Sequence, residues 1–277
     1  MYREPIFELF GREVYLYGVF IAIGILACML VFYLYTSKRK LPSTLQDFVF
    51  FVAIFAIAIG FLFAMLFQSF YDWLEDPTQE FRITSSITVM GGLIGGALSF
   101  LLIYFTLGKY VFRRGKDKDA HIKYFSDIFD VAPLCIVIAH AFGRIGCLMG
   151  GCCHGKFLGK DPVFGGLHMT TNIGTGYFVP TQLYEAIFLF VLFAVLSVLY
   201  FKGCKITMHI YLIAYGVWRI IIEFFRVDER GFVFLGLAPS QWQSFVFIAI
   251  GVVLFVVYTY KKWPFFKQKE KQEKIEE

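Results

Sequence analysis

Residues 47–67 read DFVFFVAIFAIAIGFLFAMLF, and after Asp47 twenty consecutive positions carry no charge. At 1.5 Å per helical residue that run covers about 30 Å, the thickness of a bilayer's hydrocarbon core. The stretch is not isolated. The 277-residue chain is 58% hydrophobic and 17% charged, contains 35 Phe, and has a mean hydropathy of +0.66. Soluble domains lie nearer 45–50% apolar and about 25% charged. The excess falls into blocks of about 20 residues parted by short polar connections, the pattern of a chain that crosses a membrane repeatedly. It excludes a nucleic-acid-binding domain, a disulfide-stapled secreted module and a disordered tail protein, and no nucleic-acid partner is expected.

Working outward, seven spans are predicted: about 14–34, 47–67, 87–107, 127–147, 182–201, 208–226 and 243–260. The expected fold is an all-α polytopic membrane protein, a single seven-helix domain over 1–260 with an outer loop at about 148–181. A charged cytoplasmic tail follows over 261–277. The first span is too long, and followed by too many others, for a cleaved signal peptide. Lys and Arg set the orientation. The connections after spans one, three and five, with the tail, hold 17 of the 26. The opposite side holds seven: Arg3, Arg12, Arg82, Lys156, Lys160, Arg226 and Arg230. The N-terminus is therefore placed outside and the C-terminus in the cytoplasm, which also accounts for the formal charge of +5. No internal repeat is visible, which speaks against an inverted-repeat transporter.

An ionised group inside a span costs at least about 2.5–3.5 kcal/mol on insertion scales and asks for a reason. Span six carries Tyr215, Arg219, Glu223 and Arg226, whose spacing of i, i+4, i+8 and i+11 puts them on one helix face. An Arg219–Glu223 pair neutralises itself and could merely lock two helices together. Arg226 is then in excess, and an acidic or phosphorylated ligand would balance it. Span four ends in His140-Ala141-Phe142-Gly143-Arg144-Ile145-Gly146-Cys147. His140 and Arg144 are one turn apart; His140 reads either as a hydrogen-bonded packing residue or as a base. Gly143 and Gly146 let backbone or ligand approach Arg144. Two arginines from different helices, both in the outer half, suit a phosphate, which guanidinium binds bidentately. Gly91 and Gly92, the first of two glycine pairs opening span three, permit tight packing or close headgroup approach.

Of the six cysteines, Cys147, Cys152 and Cys153 stand together in the outer loop with His154. Several readings stay open: a disulfide from Cys147 to one of the others, a reactive thiolate helped by Arg144 and His154, or plain packing. A metal site is the weakest by spacing, because C-x4-C-C-H matches no standard zinc pattern.

Several ordered segments resemble one family. Tyr17-Gly18 is similar to its Tyr-Gly start, and Met90-Gly91-Gly92-Leu93-Ile94-Gly95 to its His-Gly-Gly-Leu-Ile-Gly. Gly143-Arg144-Ile145-Gly146 resembles the opening of Gly-Arg-x-Gly-Asn-Phe-x-Asn-x-Glu. Pro180-Thr181-Gln182-Leu183-Tyr184-Glu185 looks like Pro-Ser-Gln-Leu-Tyr-Glu. The run from Tyr215-Gly216 through Arg219, Glu223 and Arg226 is close to Tyr-Gly-x-x-Arg-x-x-x-Glu-Phe-x-Arg. These are patterns of the phosphatidylglycerol–prolipoprotein diacylglyceryl transferases. The resemblance implies transfer of an sn-1,2-diacylglyceryl group from phosphatidylglycerol to the lipobox cysteine in a prolipoprotein signal peptide. A thioether forms and glycerol 1-phosphate is released, at the outer leaflet of a bacterial inner membrane, with no metal or cofactor. In that frame Arg144 and Arg219 hold the phosphate, Glu223 fixes Arg219, and Tyr17, Tyr215 and Arg226 line the headgroup pocket.

The departures from the pattern are chemical. Met90 stands in place of the His proposed as the base that activates the acceptor thiol. Cys147 replaces the signature Asn, Cys152 the signature Glu, and Val179 a His before the Pro-Ser-Gln segment. A Met cannot take a proton, so either His140, His154 or a loop thiolate assumes that role or the acceptor is not a lipobox cysteine. Two other functions compete: a membrane thiol enzyme using Cys147, Cys152 or Cys153, and a non-catalytic phospholipid binder.

Overall fold

The computed structural model describes residues 5–9, 11–75, 78, 80–83, 88–171, 173–226 and 237–262. The expected tail lies outside the described residues from position 263 onward. The architecture is mostly helical, with every predicted span falling on a helix. These are α1 (Leu16–Lys38), α2 (Ser43–Glu75), α3 (Val89–Val111), the one-turn α4 (Ala120–Lys123), α5 (Phe125–Met149), α6 (Thr181–Phe201), α7 (Thr207–Glu223) and α8 (Pro239–Lys262). Six of them, all but α4 and α7, are long and apolar enough to cross a membrane. Helix α7 has 17 residues and carries Arg219 and Glu223. The chain is a polytopic membrane protein.

Two segments that lie almost wholly outside the predicted spans carry short strands. Ahead of α1, β1 (Phe7–Leu9) pairs antiparallel with β2 (Arg12–Val14), and Gly11 supplies the left-handed turn residue at φ +72°. The connection after α5 folds as a three-stranded antiparallel sheet in the order β3-β5-β4, from β3 (Phe157–Gly159), β4 (Leu167–Thr171) and β5 (Gly174–Phe178). Alternation explains how it sits: Met169 and Phe178 are each 1% exposed, and they pack with Leu148 from the end of α5 and Leu183 from the start of α6. The sheet is thereby seated on the helix ends that carry the polar residues.

The chain divides into two compact units. In the unit Tyr33–Ile128, glycines bring α2 and α3 together. A Cβ on Gly91 would lie 2.6 Å from the Phe63 carbonyl oxygen, and one on Gly60 would lie 3.0 Å from the Gly92 carbonyl oxygen. Small residues allow this backbone approach where the bilayer supplies no hydrophobic drive between helices. Gly91 and Gly92 thus sit at a helix–helix seam. In the same unit Arg39 pairs with Asp127 at 3.0 Å, and the Tyr104 hydroxyl donates to the His121 carbonyl at 2.6 Å.

The other unit comprises Met1–Phe32 with Phe129–Glu277. Helix α5 is its centre: half of the apolar window of this helix is buried inside the protein, against 11% for α1 and α8. Gly24 of α1 meets Ala139 and Phe142, and Gly146 of α5 faces the Tyr17 carbonyl oxygen, a Cβ there lying 3.1 Å away. Phe188 of α6 stacks on Trp218 of α7 with ring centroids 4.4 Å apart, and Thr207 ties the start of α7 to the Asp130 carbonyl at 2.6 Å.

Candidate active site

The outer-half polar residues predicted from spans four and six converge on one they did not include. Glu185, on the second turn of α6, is 0% exposed. Its Oε2 is 3.0 Å from the Arg144 Nε, its Oε1 accepts from the Tyr215 hydroxyl at 3.1 Å, and the His140 Nε2 lies 3.6 Å from the same Oε1. The His140 ring meets the Tyr215 ring edge-on at 5.2 Å, and Tyr215 stacks on Tyr211. Three helices meet at this carboxylate: α5 supplies His140 and Arg144, α7 supplies Tyr215, and α6 supplies Glu185. Burying a lone carboxylate is costly, so the gathering of donors is what makes its position tenable. The cost of an ionised group within an apolar span, applied to residues 182–201, singles out Glu185 as the only such residue there. That was the signal available in the sequence.

Arg219 and Glu223 form the predicted i, i+4 pair, with Nη2 to Oε2 at 2.9 Å and both side chains 10% exposed. The Arg219 Nη1 is buried with no hydrogen-bond partner among the described residues. A buried guanidinium nitrogen left unsatisfied is costly unless a ligand completes it. Arg219 also lies within electrostatic reach of Glu185 and His140. Among the described residues, Arg144 faces Glu185 and Arg219 faces Glu223.

Arg226 departs from the predicted helical face. Helix α7 closes at Glu223, and Arg226 instead pairs as an antiparallel bridge with Gly155, beside a Lys156 amide donating to the Phe225 carbonyl at 3.1 Å. A Cβ on Gly155 would sit 2.5 Å from the Phe225 carbonyl oxygen, so only glycine permits that approach. The bridge brings the buried Arg226 beside the loop after α5, within electrostatic reach of Cys153 and Glu185.

That loop gathers Cys152 and Cys153 against Cys147 of α5: their sulfur atoms all lie within 4.8 Å of one another. All three are free thiols. Thiol donors from Cys147 and Cys152, with Arg226 and Arg144 nearby, hold the Cys153 thiol well below its usual range. Hydrogen bonding to Cys147 and Cys153 pushes Cys152 up. His154 is buried, its Nδ1–H donates to the Gly155 carbonyl at 3.0 Å, and its ring packs on Phe178 at 4.6 Å. Tyr17 is 45% exposed at the start of α1. Gly143 meets only Ile21 at ordinary contact, whereas Gly146 serves the close approach of α1. Gly91 and Gly92 belong to the Tyr33–Ile128 unit.

The family model described as prolipoprotein diacylglyceryl transferase matches residues 4–257. The chain belongs to that family. Among similar curated proteins is the phosphatidylglycerol–prolipoprotein diacylglyceryl transferase of Clostridium tetani, 33% identical over 272 residues that cover 94% of this chain and 99% of the relative. Transferase 2 of Clostridium perfringens is 30% identical, covering 89% and 91%. The Streptococcus pneumoniae transferase is 29% identical, covering 85% and 86%.

Proposed function

We propose that this chain transfers the sn-1,2-diacylglyceryl group of phosphatidylglycerol to the lipobox cysteine thiol of prolipoproteins, forming a thioether and releasing glycerol 1-phosphate. Family membership supports the reaction class. The observation that carries the reading to these residues is the buried Arg219 Nη1, unpaired among the described residues. A phosphodiester headgroup carries one negative charge and supplies the missing acceptor.

The chemistry follows from that placement. As the acceptor sulfur attacks the glyceryl carbon, the departing phosphate goes from one negative charge toward two. Arg144 and Arg219, held by Glu185 and Glu223, are already oriented for that charge, and preorganised donors in a dry site are worth several kcal/mol. Glu185 faces the Arg144 Nε at 3.0 Å as its countercharge, and the guanidinium's other nitrogens serve the phosphate. Tyr215 is held by the same carboxylate and lines the headgroup pocket with Tyr17 and Arg226.

The seven helices are read as seven crossings with the N-terminus outside and the C-terminus in the cytoplasm. This rests on the 17-to-7 division of Lys and Arg. It puts Arg144, Glu185 and the cysteine loop toward the outer leaflet of a bacterial cytoplasmic membrane. The test is a liposome assay with phosphatidylglycerol and a lipobox peptide, scoring peptide mass and released glycerol phosphate. Product from the wild type and none from Arg219→Ala is expected. Equal turnover by the two would refute the assignment of the phosphate to this site.

A further inference from the structure

The transfer needs an acceptor thiolate, and Met90, which stands where the resemblance implies a basic His, cannot take a proton. The loop after α5 offers a different route. Its chain turns back over the helix end through Gly151 N–H to the Leu148 carbonyl at 3.2 Å and Cys152 N–H to the Cys147 carbonyl at 3.1 Å. Gly151 and Cys153 both take left-handed backbone, at φ +64° and +60°. For a cysteine that conformation is unfavourable and persists only where the surroundings enforce it. Here α6 does so. The Gln182 Nε2 donates to the Cys152 carbonyl at 2.6 Å, and the Thr181 hydroxyl donates to the Cys153 carbonyl at 2.8 Å. Both clamping side chains are fully buried. The strained turn is what folds Cys152 and Cys153 back toward Cys147.

A disulfide would use two of the three sulfurs, and the adjacent pair is poorly placed to bridge. Convergence of all three is the arrangement of a coordination site for a soft or borderline cation. Zinc–sulfur bonds of about 2.3 Å place tetrahedral thiolates roughly 3.8 Å apart, within reach of side-chain rotation from separations of at most 4.8 Å. Three thiolates around a divalent cation leave one negative charge, and a bound acceptor thiolate makes it two. Arg144 and Arg226 lie close enough to offset them, since both act electrostatically on Cys153. Cys152 is exposed, so the cluster is open on one side. Three protein ligands with an open fourth position is the arrangement of a reactive zinc site, and a thiol bound there is deprotonated outright. The sequence spacing, which argues against a standard zinc motif, does not show this convergence.

We propose that Cys147, Cys152 and Cys153 bind one zinc ion whose fourth position receives the acceptor cysteine and converts its thiol to the attacking thiolate. The identity of that acceptor rests on the transferase reading. The step balances without an oxidant. Coordination releases the thiol proton to water, and the bound sulfur gives an electron pair to the sn-3 carbon of the diacylglyceryl group. The carbon–oxygen bond to phosphate breaks, glycerol 1-phosphate leaves with the electron pair of that bond, and the neutral thioether, a weaker ligand, departs.

The experiment uses full-length protein in detergent, reduced with a phosphine, stripped by chelation and titrated with cobalt(II). One equivalent should produce thiolate-to-cobalt charge-transfer absorption and tetrahedral d–d bands, displaced by zinc and lost in Cys152→Ser, a substitution at an exposed side chain. A lipobox peptide should shift the d–d bands, and the same peptide with Ser for Cys should not. Transfer should be lost on metal removal and restored by zinc. No cobalt–thiolate absorption in the wild type, absorption unchanged by Cys152→Ser, or bands indifferent to the cysteine peptide would overturn the proposal. Full transfer by the metal-free protein would refute it while leaving the transferase reading intact. Peptide-dependent bands without transfer in either form would refute the transferase reading and uphold the metal site.

Discussion

Replacing Glu185 by Gln removes one charge from the centre of the site and little else. Gln has nearly the same volume, and its amide oxygen can still accept from the Tyr215 hydroxyl, which lies 3.1 Å from the carboxylate. What is lost is the countercharge 3.0 Å from Arg144, at a position with no solvent exposure. Breaking a buried ion pair from one side costs about 3–5 kcal/mol, because the remaining charge stays buried and uncompensated. At about 2–4 °C per kcal/mol for a domain of this general size, the apparent Tm should fall by roughly 6–20 °C. The same substitution leaves the buried Arg144 without its countercharge, so an anionic headgroup becomes the replacement. Thermal unfolding in detergent, followed by tryptophan fluorescence, measures both effects. Added phosphatidylglycerol should restore more stability to Glu185→Gln than to the wild type, and phosphatidylcholine should restore less to both. A variant that melts within about 2 °C of the wild type would refute the ion pair as the support of this site. Equal rescue by the two lipids would refute the phosphate assignment.

Further substitutions separate the other contributions. Arg219→Lys keeps the charge opposite Glu223 but removes the planar fork and its unsatisfied Nη1; kcat/KM for diacylglyceryl transfer should fall about 10²–10³-fold, with stability changing far less. Gly91→Ala places a Cβ 2.6 Å from the Phe63 carbonyl oxygen and should cost about 1–3 kcal/mol, read as a lower Tm that phosphatidylglycerol does not selectively rescue. Gln182→Leu strips the Cys152 carbonyl of its 2.6 Å donor, costing about 1–3 kcal/mol at that turn. Alkylation of the loop thiols, followed by mass spectrometry, should then spread among all three as their convergence is lost; an unchanged pattern would show that Gln182 does not hold the turn.

The spans were legible because they are written in composition, and a bilayer leaves no alternative to helix for a charge-free run of that length. Residues 182–201 and 127–147 were located to within one or two residues of α6 and α5. Helix α2 continues to Glu75, eight residues past its predicted span, because Gln68 and Asp72 extend it in water as readily as lipid-facing residues do in hydrocarbon. The sheet over 157–178 has no such signature in the sequence. Its strands are three to five residues long, and β5 holds two glycines among its five residues, too few alternating positions for a period of two to stand out. Arg144, Arg219 and Glu223 were legible from the cost of charge in a span. The partner of Arg144 was not, since no spacing rule connects a residue on α5 to one 41 positions later on α6. Arg226 shows the opposite failure: helical spacing assigned it to a face that the helix does not reach.

The central claim is that this chain carries out diacylglyceryl transfer with an arginine-held phosphate and without a histidine at position 90. The most direct measurement is the mass of a lipobox peptide after incubation with the purified protein in phosphatidylglycerol liposomes. A parallel reaction contains the Clostridium tetani relative. The account predicts a peptide heavier by one diacylglyceryl group, with an equimolar amount of glycerol 1-phosphate released, and no such product from Arg219→Ala. An unmodified peptide under conditions where the relative converts it would contradict the account.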